Sequence, residues 1–239
     1  MYSLVSIGFV LIYKATDVLS FAQPALVVVG AGLISALAVD RGVPFWIAFF
    51  VGILLTGIIG LVMERTFLRP MVGEPVFSVA ILTIGIDILL RTVLNNWIGL
   101  NPRYLGDPFQ SFGNFGSVNV GGVTLKYLEI AALFTGIVLI ILLSVFFKRS
   151  KYGVAMMATS YDQEAALAQG INVGRIFGLV WLISGVLAGF AGFFITGGFN
   201  TLTQASFLSA LRVLPAVAIG GLDSIPVSYT HLTLPTMLP

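Results

Sequence analysis

Residues 44–63, 76–99, 127–147 and 176–195 form four apolar runs of about twenty residues, the length a helix needs to cross the hydrocarbon core of a bilayer. Runs of this length leave a chain little choice. In lipid, backbone N–H and C=O groups find no water, so a crossing segment must bond them within itself as a helix or within a closed barrel. The runs are continuous rather than alternating over about ten residues, which excludes an outer-membrane barrel. The chain is 58% hydrophobic and only 9% charged, against roughly 25% charged in a soluble domain. The fold class is therefore an all-α integral membrane protein, a polytopic transmembrane helix bundle.

The flanking segments are less regular. Tyr2 to Tyr13 is apolar but short for a span, and no basic region precedes it, so the chain is expected to start inside a helix or to have been clipped. Gln23-Pro24 interrupts the apolar run 18–39. Proline removes a donor and disfavours helix at the residue before it, so 18–24 reads as a break and 25–39 as helix. Whether 2–39 crosses once or twice is left open. Residues 100–124 are rich in Gly, Pro and Asn and read as turns with a short hairpin around Gly121-Gly122. The run 207–222 holds Pro215 and Gly220-Gly221 and reads as a second broken or re-entrant helix. Residues 1–226 form one expected transmembrane domain. The final stretch, VSYTHLTLPTMLP, is uncharged, cannot complete a helix, and resembles a translated sequencing-adapter end; residues 227–239 are expected to be a non-native tail.

Lys and Arg collect on the cytoplasmic side of membrane proteins. With the four runs alternating, Arg65, Arg69, Lys148, Arg149, Lys151 and Arg175 fall on one side, and Arg41, Arg103 and Lys126 on the other. This places loop 148–175 in the cytoplasm and 100–124 outside. The loop, KRSKYGVAMMATSYDQEAALAQGINVGR, reads as one short helix over 161–169. Ser160 is its expected N-cap, in a capping box with Gln163, and Gly170 takes the left-handed position that ends it. A helix of about two and a half turns is not stable alone in water, so it needs something to dock against.

Asp87 and Arg91 lie inside the 76–99 run, four residues apart and so on one helix face. Ionisable groups at that depth face a bundle interior or a wet cavity, and two readings stand: a buried pair that fixes packing, or a pathway lining. Gly185, Gly189 and Gly192 make a small-residue face that lets helices approach closely, within the bundle or across a dimer seam. No constellation supports an enzyme. His231, the sole histidine, is in the tail, there is no cysteine, and no metal-binding or phosphate-cradling motif occurs. No basic stripe with interleaved aromatics suggests nucleic acid.

Glu164-Ala165-Ala166-Leu167-Ala168-Gln169-Gly170 resembles the EAA-x-x-x-G pattern of ABC-importer permeases. The wider stretch YGVAMMATSYDQEAALAQGINVGRIFGLVWLISGVLAGFAGFF, together with GFVLIYKATDVLSFAQPALVVVGA, ILTIGIDILLRTV and LRVLPAVAIGGLDSIP, resembles the branched-chain amino-acid ABC permeases. Ser20 stands where that family usually has Asn, and Gln23-Pro24 where a Gly usually follows. The resemblance implies a bundle of the ABC-importer permease type in the bacterial cytoplasmic (inner) membrane, moving branched-chain or related amino acids. Gly153, Asp162, Glu164, Ala165, Ala166 and Gly170 would belong to the region that couples to an ATPase. The implied partners are a second permease subunit, cytoplasmic ATP-binding subunits, an extracytoplasmic substrate-binding protein and membrane lipid. No cofactor is expected on this chain; ATP and magnesium would sit on the ATPase. The alternatives are an ATPase-independent secondary transporter or channel and, within the family, amides or urea as substrate.

Overall fold

The computed structural model describes residues 2–16, 20–71, 74–99, 103–104, 117–120, 123–198, 201–202, 207 and 210–211. Eight α-helices account for most of them: α1 (Tyr2–Thr16), α2 (Gln23–Ser35), α3 (Phe45–Met63), α4 (Val76–Ile98), α5 (Tyr127–Arg149), α6 (Lys151–Tyr161), α7 (Gln163–Ala168) and α8 (Val173–Gly198). A π-helical turn, Ala36–Asp40, prolongs α2, and another, Glu64–Leu68, prolongs α3 into the short 3-10 turn Arg69–Met71. Five helical segments are long and apolar enough to cross a membrane: Gln23–Asp40, Phe45–Met71, Phe77–Trp97, Tyr127–Arg149 and Val173–Gly197. The protein is thus a multi-pass helix bundle, and the four apolar runs of the sequence each lie on one of these segments.

The central helix is α8, on which α1, α2 and α3 all pack. Small residues allow this. A methyl placed on Gly185 would lie 2.7 Å from the carbonyl oxygen of Thr56 and 2.9 Å from Cα of Gly57, both on α3. One on Gly189 would lie 3.2 Å from Cα of Ile53, and one on Gly192 would collide with the carbonyl oxygen of Val27 on α2. From α2, a methyl on Gly30 would lie 2.6 Å from Cα of Gly189. Three backbones therefore meet with no side chain between them, the close packing that small residues permit. Toward one end an aromatic cluster closes the α3–α8 contact, with Phe49 edge-on to Phe193 at 5.0 Å and Phe45 5.5 Å from Phe193.

The break before α2 is real, but the helix begins at Gln23 rather than at residue 25. Pro24 falls in the first turn, where a missing N–H leaves no bond unmade. Gln23 is fully buried and sits deep in the bundle. Its Nε2 donates to the carbonyl of Ser184 at 3.3 Å, while Ser184 Oγ lies 2.9 Å from Gln23 Oε1 and 3.1 Å from the carbonyl of Gly8 on α1. Ser184 is eleven residues into α8, about 16 Å from its start. The chain thus leaves α1, turns inward past Ser20, and starts α2 part-way through the bundle. Phe21 N, on that turn, donates to Thr83 Oγ1 of α4 at 3.1 Å.

Two short antiparallel pairs lie near the end opposite loop 148–175: β2 (Ser117–Val120) with β3 (Val123–Lys126), and β1 (Arg103–Tyr104) with β4 (Thr201–Leu202). The first pair flanks Gly121-Gly122, where the sequence suggests a hairpin. The second broken helix expected over 207–222 lies outside the described residues except at 207, 210 and 211, and the tail 227–239 lies outside them altogether.

Candidate functional site

Lys148 and Arg149 end α5, and Ser150 in extended backbone (φ −85°, ψ 137°) turns the chain into α6. Gly153 permits the return. A methyl there would collide with the carbonyl oxygen of Phe146 and lie 2.7 Å from Cα of Phe147. Helix α6 buries Gly153, Met156 and Thr159 and leaves Tyr152, Val154 and Tyr161 exposed.

The loop therefore holds two helices, not one, and the expected Ser160 cap is corrected. Ser160 is the penultimate residue of α6, and its Oγ donates back to the carbonyl of Met157 at 2.8 Å. That local bond satisfies the hydroxyl inside a helix. The N-cap is Asp162, with extended backbone (φ −156°, ψ 110°), whose Oδ1 accepts from Ala165 N at 2.9 Å. At the other end Gly170 has φ +81°, the left-handed region. Its N–H reaches the carbonyl of Leu167 at 2.9 Å, and the N–H of Ile171 reaches that of Ala166 at 3.0 Å. Both ends of α7 are thereby closed. Along its body Ala166 is buried, whereas Glu164, Ala165, Leu167 and Ala168 are exposed, Leu167 by 58%. Asn172 then caps α8, its Oδ1 accepting from Arg175 N at 3.0 Å.

Beneath α7 lies a link that sequence reasoning missed. Glu64, 1% exposed, holds Arg69 through two bonds of 3.2 Å, from Nε to Oε1 and from NH2 to Oε2. Arg69 NH2 also donates to the carbonyl of Gly174, in the first turn of α8, at 2.7 Å. This clasp ties the end of α3 to the start of α8, four residues beyond Gly170. Gln163 Nε2 adds a weak tie from α7 to the carbonyl of Ala15 on α1, at 3.5 Å. Between them lies a cavity of ≈ 100 Å³ lined by Thr16, Ser20, Glu64, Arg69, Gln163 and Trp181, among others. The signal in the sequence was Glu64-x-x-x-x-Arg69 at the end of an apolar run, a spacing that a regular α-helix would not bring together but the π-helical turn does.

The remaining candidates lie elsewhere. Asp87 and Arg91 form the ion pair that their spacing suggests, with Asp87 buried and the Arg91 guanidinium 4.0 Å from the centroid of the Phe207 ring. Asp87 Oδ1 and Arg91 Nε have no partner among the described residues. The glycines 185, 189 and 192 lie within one chain's bundle, against α3 and α2.

A family model described as branched-chain amino acid transport system / permease component matches residues 1–230. The chain belongs to this family. It is 26% identical to the high-affinity branched-chain amino acid transport system permease protein BraD of Pseudomonas aeruginosa, over 94% of this chain and 76% of that protein. It is 24% identical to the corresponding protein LivH of Escherichia coli, again over 94% and 76%. The galactose/methyl galactoside import permease protein MglC of E. coli is 26% identical over 60% of this chain and 43% of its own length. No solved structure matches. As a member of this permease family with five membrane-crossing helical segments, the chain is a multi-pass transmembrane permease component.

Proposed function

We propose that the chain is the permease subunit of an ATP-driven ABC importer for branched-chain or related amino acids in the bacterial cytoplasmic membrane. A separate ATPase acts on it through α7. The observation that carries this reading is α7 itself, a six-residue helix capped at both ends, with Ala166 buried in its own fold and Leu167 58% exposed. An exposed leucine on a rigid, short helix is a knob for a groove in a partner. The Arg69 clasp and the Gly170 turn give the partner two connections into the bundle, to α3 and to α8. Cation placement supports a cytoplasmic position for α7. Lys14, which lines one cavity with Lys148, adds a further cation to that side. ATP and magnesium belong to the ATPase. An extracytoplasmic binding protein delivers substrate to the opposite end, and a second permease completes the pathway. Closure of the ATPase pair shifts the bundle between two states that bind α7 differently.

The test is substrate-stimulated ATP hydrolysis in proteoliposomes containing the permease, its ATPase and its binding protein. Leu167→Asp is expected to weaken ATPase association by about 2 kcal/mol, roughly 30-fold, and to abolish the stimulation, while insertion and folding of the permease persist. Leucine, isoleucine and valine are offered to the binding protein beside galactose, because one relative is a galactose permease. Transport by the permease alone on an ion gradient would overturn the reading in favour of a secondary transporter.

A further inference from the structure

The fold carries a second cavity, unrelated to the Arg69 clasp. It occupies ≈ 320 Å³ between α1, α5 and α6. Its walls change character along the helices. Ile7 and Leu11 on α1 and Ile140 and Leu143 on α5 make the inner part, while Lys14 and Lys148 stand at the end near α6. From Ile7 to Lys14 is about 10 Å of helix, and from Ile140 to Lys148 about 12 Å. That is the step from acyl chain to headgroup in one leaflet, with the cations at headgroup depth.

Three further observations point to the same occupant. Helix α5 has only Leu128 fully buried, at its far end, so the cavity opens beside a long apolar helix that the rest of the bundle leaves largely uncovered. Among the described residues neither Lys14 nor Lys148 has a carboxylate within ion-pair distance. Two cations therefore share one cavity whose described lining holds no Asp or Glu. Tyr161, 87% exposed, lines the same cavity, and tyrosine favours the membrane–water interface. We propose that this groove binds one anionic phospholipid of the cytoplasmic leaflet, its phosphate between Lys14 and Lys148 and an acyl chain along Ile7 and Ile140. Basic pockets between helices on that side suit anionic headgroups. The inference goes beyond the transport reading and shares only its orientation.

The test is lipid retention by the delipidated, purified permease, titrated with phosphatidylglycerol or with phosphatidylcholine of the same acyl chains. Native mass spectrometry reads occupancy, and a thermal shift reads stabilisation. Phosphatidylglycerol is expected to bind and stabilise where phosphatidylcholine does not. Lys14→Gln with Lys148→Gln is expected to weaken phosphatidylglycerol binding by about 25-fold, at roughly fivefold per lysine. Lys151→Gln removes a cation that does not line the cavity and is expected to leave binding unchanged. Leu143→Trp fills the groove while keeping both lysines and is expected to expel the lipid; size-exclusion profiles confirm that each variant is folded. Equal retention of both lipids, or an equal loss in Lys151→Gln, would overturn the proposal. So would loss of the preference when the second permease is bound, which would assign the groove to that interface.

Discussion

At the scale of single residues, one buried carboxylate of the permease has both of its oxygens bonded. Glu64 is a buried carboxylate, and Arg69 is its ion-pair partner, with a side chain 40% exposed. Removing one partner of a buried pair leaves an uncompensated charge only if the remaining one is buried. The two ends of this pair are therefore unequal. Arg69→Ala is expected to destabilise the bundle by about 3 kcal/mol. Glu64→Gln leaves an arginine that can turn to water, and its expected cost is under about 1 kcal/mol. The double variant should recover most of the loss seen in Arg69→Ala, in a double-mutant cycle read by denaturant unfolding in bicelles. Equal single losses would contradict the asymmetry. The sequence shows why this pair was hard to see. Its spacing of five fits no regular α-helix, and the π-helical turn that makes it fit depends on tertiary packing. The cap at Asp162 was obscured for a related reason. Ser160 and Asp162 are both good N-cap types, and the choice rests on where α6 ends, which packing of Met156 and Thr159 decides.

At the scale of elements, the legible parts were those set by solvent. A run such as 127–147 must be helical in lipid whatever its neighbours do, and α5 is found over Tyr127–Arg149. The two-helix form of loop 148–175 was not legible, because water permits helix, turn or coil there and tertiary contact selects among them. Gln23 is an intermediate case. Pro24 marked a break correctly, yet the amide that anchors α2 to Ser184 lies across a sequence gap of 161 residues, and no local pattern reveals it. The glycine face can be tested directly. Gly192→Leu is expected to cost about 3 kcal/mol, because the added side chain collides with the α2 backbone at Val27. Gly85→Ala on α4, where an added methyl meets nothing within 4 Å, is expected to stay within about 0.5 kcal/mol of the parent. Thermal unfolding in detergent compares the two. Similar losses in both would contradict the assignment of close approach to Gly192, because replacing glycine in a helix raises helix propensity and so cannot itself cause a loss.

For the whole molecule, the absence of cysteine makes topology directly measurable. A single Leu167→Cys is expected to react with a membrane-impermeant maleimide only from the cytoplasmic side of oriented vesicles, and to become protected when the ATPase is added. Asn119→Cys, on β2, is expected to react only from the opposite side. Reaction of both from one side would invert or break the proposed arrangement. The exposed apolar residues of α3, α4 and α5, such as Phe50, Phe77 and Phe134, remain for lipid or a partner protein to cover. One consequence concerns mechanics. With Ala166 as its buried residue, α7 has almost no packing of its own to lose when it is displaced. Under the proposed coupling, it would serve as a handle with little packing to lose. Its motion would reach the bundle through a stiff rod, the 26 residues of α8, joined to it by a glycine elbow. Stroke length would then be set by the reach of that elbow and by the slack in a single arginine.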